Sequence, residues 1–125
     1  MILLDTNALI WIDQNHRRTR TLVAAPERLA VSPASLLELR FLIETGRLGL
    51  RRGSVEAIAH DDRWVVDAPP AVEWFEAAGD ESWTHDPFDR LIVAHARLRR
   101  CRLATADREV LDRLRPSERL ALKLT

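Results

Sequence analysis

The sequence predicts a three-layer α/β/α sandwich with a central parallel sheet. Short apolar runs alternate with longer segments whose apolar residues recur at helical spacing, and this alternation is typical of βαβ units. The first run, residues 1–4, is apolar at every position, as expected for a strand that helices cover on both faces. Two residue pairs that favour helix starts, Ser32-Pro33 and Asp86-Pro87, fall between the runs.

Five apolar runs are predicted to be strands. In chain order they cover residues 1–4, 29–31, 64–66, 103–105 and 120–124. Each run is shorter than a helix of ordinary length, and longer segments with helical spacing separate the runs.

Three helices have clear start or end signals. Residues 34–45 follow Ser32-Pro33, where the serine caps the helix and the proline occupies its first turn, and Gly46 supplies a C-cap. Residues 88–99 follow Asp86-Pro87 in the same way. The third helix opens at Pro69-Pro70, continues through Trp74 and Phe75, and is closed by Gly79. Weaker signals predict further helices over residues 8–13, 19–25, 54–61 and 108–114.

Size and composition predict one domain, residues 1–125. The chain has 125 residues, of which 46% are hydrophobic and 30% charged, the balance of a compact globular domain. Cys101 is the only cysteine, which excludes a disulfide framework within the chain. The four histidines, at positions 16, 60, 85 and 95, lack the spacing of zinc ligands.

Membrane and secretory segments are not predicted. No apolar run approaches the roughly 18 residues of a membrane span. Met1 leads into Asp5 without the basic and apolar regions of a signal peptide. We therefore expect a cytoplasmic protein that does not associate with membranes.

The charges of the chain are balanced. Since 19 basic residues face 19 acidic ones, the net charge gives no overall attraction for nucleic acid, and any such binding must be local. Lys123 is the only lysine, so the positive charge is almost entirely arginine, which suits bidentate contacts with phosphate. Arginines 97, 99, 100 and 102 lie at the far end of a helix, where the helix dipole explains them. Arginines 17, 18, 20 and 90 are better placed for substrate, although a solvated face explains them as well.

Four acidic residues are expected at the carboxyl edge of the sheet. Asp5 follows the first strand and Asp107 follows the fourth, and the carboxyl ends of parallel strands form the ligand crevice. Asp89 lies in the first turn of a later helix whose start should face the same crevice. Glu38 lies inside the predicted helix 34–45 among apolar neighbours, where a carboxylate is costly to bury unless it is paired or bound to a metal.

Helix capping offers an alternative explanation for three aspartates. Asp86 and its partner three positions on form a capping-box-like pair, and capping is the preferred interpretation for Asp86. Asp5 and Asp107 could each cap the following helix, so for these two residues both interpretations are open. Glu38 lies too far into its helix to cap it, and Arg40 does not share its helix face, so a local ion pair is not expected.

A group of carboxylates without a lysine nearby favours a divalent metal ion. Like charges raise one another's pKa values, and a bound cation relieves that repulsion. Because the ligands would be oxygens, with no cysteine or paired histidine, the pattern indicates Mg²⁺ or Mn²⁺ rather than zinc.

Four short motifs carry these acids. They are Leu3-Leu4-Asp5-Thr6-Asn7, Ser35-Leu36-Leu37-Glu38-Leu39, the run from Asp86-Pro87-Phe88-Asp89-Arg90 to Ala94, and Thr105-Ala106-Asp107. In order and spacing the motifs resemble the PIN-domain ribonucleases, in particular the VapC-like toxins of bacterial type II toxin-antitoxin systems. The resemblance covers essentially the whole chain, and its most specific part is the Asp-Pro-Phe-Asp-Arg helix start.

The resemblance implies a PIN-like α/β/α fold and endonucleolytic cleavage of structured RNA, such as a tRNA or ribosomal RNA loop. It implies Mg²⁺ or Mn²⁺ as cofactor, and a cognate antitoxin and a second copy in a homodimer as partners. The family's catalytic and metal-binding quartet corresponds to Asp5, Glu38, Asp89 and Asp107. Accessory positions beside the quartet are Asn7, Thr105, Asp86 and Arg90.

The expected chemistry is attack by a metal-activated water on a phosphodiester. The resemblance implies products with a 5′-phosphate and a 3′-hydroxyl, so the ribose 2′-hydroxyl is not the nucleophile. The main alternative is a non-catalytic PIN-like module that binds RNA or protein, against which the complete quartet argues. A phosphatase or nucleotide-binding domain is disfavoured, because no glycine-rich phosphate loop is present and Asp5-Thr6-Asn7 lacks the second aspartate of an aspartyl-phosphatase motif.

Other conspicuous side chains are interpreted as structural. His95 lies well inside a buried helix, where a hydrogen-bonded core histidine is expected, and His85 is interpreted as an exposed loop residue. Asp67 follows the third strand but has no counterpart in the quartet. Of the four tryptophans, those at 64 and 74 are expected in the core and those at 11 and 83 at an interface.

Overall fold

The computed structural model describes residues 1–50 and 54–122, which form a parallel sheet of five short strands. The strands are β1 Ile2–Leu4, β2 Leu29–Val31, β3 Trp64–Val66, β4 Arg102–Thr105 and β5 Arg119–Ala121. Their order across the sheet is β3-β2-β1-β4-β5, and every neighbouring pair is parallel. The predicted α/β/α sandwich is confirmed.

Helices alternate with the strands along the chain. They are α1 Thr6–Asp13, α2 Arg20–Ala24, α3 Pro33–Glu44, α4 Val55–Ala59, α5 Ala71–Gly79, α6 Pro87–Arg99 and α7 Arg108–Arg113, with single 3-10 turns at Arg17–Thr19 and Pro116–Glu118. None of the helices in the described ranges has the length and apolar character required to cross a membrane.

The predicted elements are present, and their bounds differ in ways that have physical causes. Helix α1 begins two residues earlier than predicted, because the Ala8 amide donates to the Asp5 carboxylate over 2.7 Å and fixes the first turn. The predicted helix 19–25 is divided into a 3-10 turn and α2. Gly46 follows α3 with a φ of 72°, a conformation that glycine adopts without strain. Residues 123 and 124 of the predicted last strand lie outside the described ranges.

The side chains of β1 alternate between two cores. Ile2 and Leu4 pack on one face of the sheet with residues of α1, α3 and α4, among them Leu39. Leu3 packs on the other face with residues of α5 and α6, among them Trp74. All three residues of β1 are completely buried, as predicted for a strand covered on both sides.

The chain changes its direction across the sheet between β1 and β4. From β1 it continues to β2 and β3 on one side, whereas from β4 it continues to β5 on the other. In such sheets a crevice opens at the carboxyl ends of the two strands where the direction changes. Leu4 is aligned with Ala104, and the Asp5 amide donates to the Ala104 carbonyl over 3.1 Å, so both strands end at the same level.

A buried polar contact fixes α6 against the end of β3. His95 is completely buried, and its Nε2 lies 2.7 Å from the Asp67 carboxylate. Arg99 donates to the same carboxylate over 2.9 Å, and the Trp74 ring packs edge-on against the His95 ring. The prediction of a hydrogen-bonded core histidine is confirmed, and the contact holds the helix whose first turn carries Asp89.

Substitution of Leu3 tests the two-sided burial of β1. We expect Leu3→Ala to lower the free energy of unfolding by about 2–5 kcal/mol, because it leaves a cavity between the sheet and α6. Leu98→Ala is a matched control on α6, since the Leu98 side chain is 41% exposed, and it should change stability little. Urea unfolding of both variants measures the difference, and equal losses would contradict the assigned core.

Candidate active site

A cavity of about 200 Å³ opens at the crevice between β1 and β4. Its walls come from the ends of the two strands, the middle of α3 and the start of α6. Its lining residues are Asp5, Thr6, Asn7, Glu38, Leu42, Asp86, Asp89, Ile92 and Asp107. Five of these nine side chains carry a carboxyl group, and the part of the lining that the structure describes includes no basic side chain.

Three of the aspartates in the cavity cap helices with one carboxylate oxygen. Oδ1 of Asp5 accepts from the amide of Ala8 over 2.7 Å at the start of α1. Oδ1 of Asp86 accepts from two amides at the start of α6, and Oδ1 of Asp107 accepts from two at the start of α7. Capping, the alternative weighed for these residues, therefore occurs at all three. In each case the second oxygen takes no part in the cap, so capping and a role in the cavity are compatible.

Capping does not explain Glu38, which lies in the second turn of α3 and is half-buried. Arg40 pairs instead with Glu56 over 2.6 Å, as expected for a residue on a different face of the helix. The Thr6 hydroxyl donates to Ser35 over 3.2 Å, and its position beside the Glu38 carboxylate opposes the rise in the pKa of Glu38. Sequence reasoning did not single out Thr6, and its only signal was its position next to Asp5.

Thr105 connects the Asp5 carboxylate with the backbone of Asp107. Its side chain is completely buried, and its hydroxyl hydrogen bonds to the Asp5 carboxylate. The same oxygen accepts from the Asp107 amide over 3.1 Å. Thr105 does not line the cavity, so its effect on the site is to hold Asp5 and Asp107 in fixed positions.

Burial and mutual repulsion raise the pKa values of three acids. Burial raises the pKa of Asp5 from 3.8 to about 6, against the opposing effect of the Thr105 hydroxyl. Burial, followed by the negative charges of Asp86 and the other acids, raises the pKa of Asp89 from 3.8 to about 7. The pKa of Glu38 is also raised, first by burial. The cavity therefore disfavours its own negative charge, as expected of carboxylates that face one another without a cation.

The carboxylates share the cavity without converging on one point. Within residues 1–50 and 54–122, no three His, Cys, Asp or Glu side chains are close enough together to hold a metal ion. The donor set nevertheless suits a hard divalent cation, since every acidic group in the lining offers carboxylate oxygen. The raised pKa values indicate the same preference, because a cation would stabilise the ionised forms.

The structure places the remaining candidate residues in different surroundings. Asn7 and Asp86 line the cavity, whereas Arg90 does not, because its Nε donates to the Thr84 carbonyl over 2.7 Å. His85 is exposed. Three of the four arginines at the far end of α6 and the start of β4 are in ion pairs: Arg97 with Glu81, Arg99 with Asp67 and Arg102 with Glu27.

The raised pKa of Asp89 predicts a pH-dependent stability. The folded chain retains the Asp89 proton up to about pH 7, whereas an unfolded aspartate loses it near 3.8, so this group makes the fold less stable as pH rises through that window. We expect Asp89→Asn to raise Tm by a few degrees at pH 8 without added metal, and by less at pH 5.

Asp80→Asn is the matched control, since it removes an exposed carboxylate outside the cavity. Thermal denaturation of the three proteins in chelator at both pH values measures the effect. An equal change in Tm for Asp89→Asn at pH 5 and pH 8 would contradict the assignment.

Comparison with known proteins agrees with this architecture. A structure of a toxin-antitoxin complex from Klebsiella pneumoniae is similar to the chain at 18% identity, with a TM-score of 0.72 and 98% of each chain covered. PAE2754 from Pyrobaculum aerophilum is 21% identical, with a TM-score of 0.63 over 97% of this chain and 88% of the other. VapBC2 from Rickettsia felis, bound to a promoter DNA fragment, is 20% identical, with a TM-score of 0.63 and 98% of each chain covered.

These TM-scores establish that the chain shares its fold with the three structures. Among curated protein sequences the chain has no match. The PIN domain family, in contrast, matches residues 2–115, which include β1 to β4, α1 to α7 and the five acids in the described lining of the cavity. The chain therefore belongs to the PIN domain family.

Proposed function

We propose that the chain is a metal-dependent endoribonuclease toxin whose residues 1–125 act as one nuclease domain. The observation that carries the proposal is the meeting of Asp5, Glu38, Asp89 and Asp107, from four separate elements, in one cavity at the carboxyl edge of the sheet. PIN domains are generally nucleases. The substrate we propose is a structured RNA, cut in a tRNA or ribosomal RNA loop.

We propose Mg²⁺ or Mn²⁺ as the cofactor. Asp5, Glu38 and Asp89 would hold it, with Asp107 binding directly or through a water. When bound, such an ion lowers the pKa of a water molecule and shields a phosphodiester from negative charge. The side chains as placed would have to draw together to bind it, and the relief of their mutual repulsion favours that movement.

The chain's own residues orient the reacting groups. The caps at the starts of α1 and α7 fix one oxygen of Asp5 and of Asp107, so that the second oxygen has a defined direction. Thr105 links the Asp5 carboxylate to the backbone amide of Asp107, and the Thr6 hydroxyl lies beside the Glu38 carboxylate. The partial positive charges at the helix starts also favour anionic groups there. Water attack in line on phosphorus would leave a 5′-phosphate and a 3′-hydroxyl.

An antitoxin partner and a homodimer are part of the proposal. The neighbours from Klebsiella pneumoniae and Rickettsia felis are described as a toxin-antitoxin complex and as VapBC2. Beside Glu38, the side chains of Leu37 and Phe41 on α3 are 49% and 48% exposed, and Phe41 packs edge-on against Phe88 at the start of α6. An antitoxin that buried this apolar surface, with a helix or an arginine, would close the crevice.

The competing function is a module that binds RNA or protein without cutting it. What favours it is the lack of a ready-made metal site among the described residues. The two functions differ in what happens to RNA, so cleavage itself separates them.

Mapping of RNA ends tests the reaction. After brief induction of the chain, we expect new 5′-phosphate ends concentrated in one RNA loop. Asp89→Asn should reduce them by about 100-fold or more, the scale of loss when a group that acts on the reacting water is removed. Asp80→Asn, outside the cavity, should give the wild-type ends. Identical ends from wild type and Asp89→Asn, with both proteins folded, would favour the binding module.

Thermal stability tests the cofactor independently of cleavage. We expect Mn²⁺ or Mg²⁺ to raise the Tm of the wild-type chain at neutral pH, because a ligand that binds only the folded state stabilises it by about 2.7 kcal/mol at 100 times its Kd. Asp5→Asn should abolish most of the rise and Asp80→Asn should keep it. An equal rise in all three proteins would place the metal elsewhere.

A further inference from the structure

A second cavity, of about 440 Å³, lies on the other side of the connection between β4 and α7. Ala106 and Arg108 line this cavity, whereas Asp107 between them lines the acidic one. An acidic cavity and a cavity lined by arginines therefore adjoin at Asp107. Three arginines line the second cavity, Arg18, Arg108 and Arg119, with Asp112 as the one carboxylate in its described lining.

Arg18 is held in this cavity with a donor unused. Its guanidinium carbon lies 4.7 Å from the centre of the Trp11 ring, and its backbone amide donates to His16 over 3.1 Å. Its Nε is buried and has no hydrogen-bond partner in residues 1–50 and 54–122. A buried donor without an acceptor is destabilising, so an acceptor bound in the cavity toward which the guanidinium could turn would stabilise Arg18.

The two other arginines of the cavity are also positively charged, and they differ in how firmly their side chains are held. Arg119 donates through Nη1 to the carbonyls of Leu111 and Leu114, over 2.7 and 2.9 Å, which fixes its guanidinium while the other nitrogens stay available. Arg108 is exposed and is in no ion pair with the described part of the chain. The arginines near the far end of α6 differ in this respect, since carboxylates neutralise Arg97, Arg99 and Arg102.

We propose that this cavity binds a phosphate group of the RNA strand beside the one that is cut. The inference rests on the proposed function, to which it adds a substrate contact. Guanidinium groups bind phosphate through paired, charge-assisted hydrogen bonds. An acidic cavity repels an RNA strand and the chain has no net charge, so attraction must come from a local positive site. The cavity supplies one directly next to Asp107.

Salt-dependent binding of RNA tests the contact without cleavage. All proteins carry Asp89→Asn, and the probe is a fluorescent single-stranded RNA oligonucleotide of mixed sequence in chelator. The variants are Arg18→Met, which keeps an apolar chain over Trp11, and Arg108→Gln, alone and together. Arg113→Gln is the control, because Arg113 lies on α7 but does not line the cavity. Tm values verify that each variant is folded.

Loss of the phosphate contact should lower the slope of log Kd against log salt concentration by about 0.7, the value for single strands, in the double variant, and by less in each single variant. We expect the affinity at low salt to fall by about tenfold in the double variant. Slopes equal to that of Arg113→Gln would overturn the inference, and the cavity would then suit an acidic segment of a partner protein. A Tm increase with inorganic phosphate alone, with unchanged RNA slopes, would also overturn it in favour of a free anion.

The outcomes separate this inference from the proposed function. If the wild-type chain cuts RNA and the arginine variants bind it unchanged, only the phosphate contact is wrong. If binding depends on Arg18 and Arg108 but the wild-type chain cuts no RNA, only the proposed reaction is wrong. If no form binds the oligonucleotide, the phosphate contact is wrong whatever the cleavage result.

Discussion

The parallel pairing of β1 with β4 is the interaction on which the rest of the site depends. Because Leu4 is aligned with Ala104, the two strands end together, and the first polar residues beyond them are brought to one edge. The complete burial of β1 between two helical layers helps to fix that register, since a shift by one residue in one direction would bring Asp5 into the buried strand. Helices α3 and α6, packed on opposite faces, then add Glu38 and Asp89 to the same edge.

Bringing these carboxylates to one edge of the sheet costs electrostatic free energy. Raised pKa values at Asp5, Glu38 and Asp89 show that the fold gathers charges which it does not itself neutralise. Outside the cavity, Asp67, Glu81 and Glu27 each have an arginine partner. What distinguishes the cavity is the gathering of carboxylates whose pKa values burial raises, without an arginine beside them.

Much of this arrangement could be predicted from the sequence. Apolar runs and cap residues gave the strands and helices, because burial and first-turn hydrogen bonding are local properties. Contacts between distant side chains could not be predicted in this way. Arg90 follows Asp89 in the motif but turns to the Thr84 carbonyl, and the surroundings of Arg18 depend on Trp11, His16 and the loop after β4. Nor does the spacing of the acids reveal how closely their oxygens approach one another.

Asp5 and Asp107 each cap a helix with one carboxylate oxygen, so the substitution chosen at these positions decides whether an inactive variant keeps its stability. An alanine at either position removes a site carboxylate and a helix cap together, so a loss of about 0.5–2 kcal/mol in stability would accompany any loss of function. Asparagine keeps a carbonyl oxygen in the capping position and removes only the charge. The asparagine variant is therefore expected to be folded but inactive, whereas the alanine variant is expected to be partly unfolded and open to proteolysis.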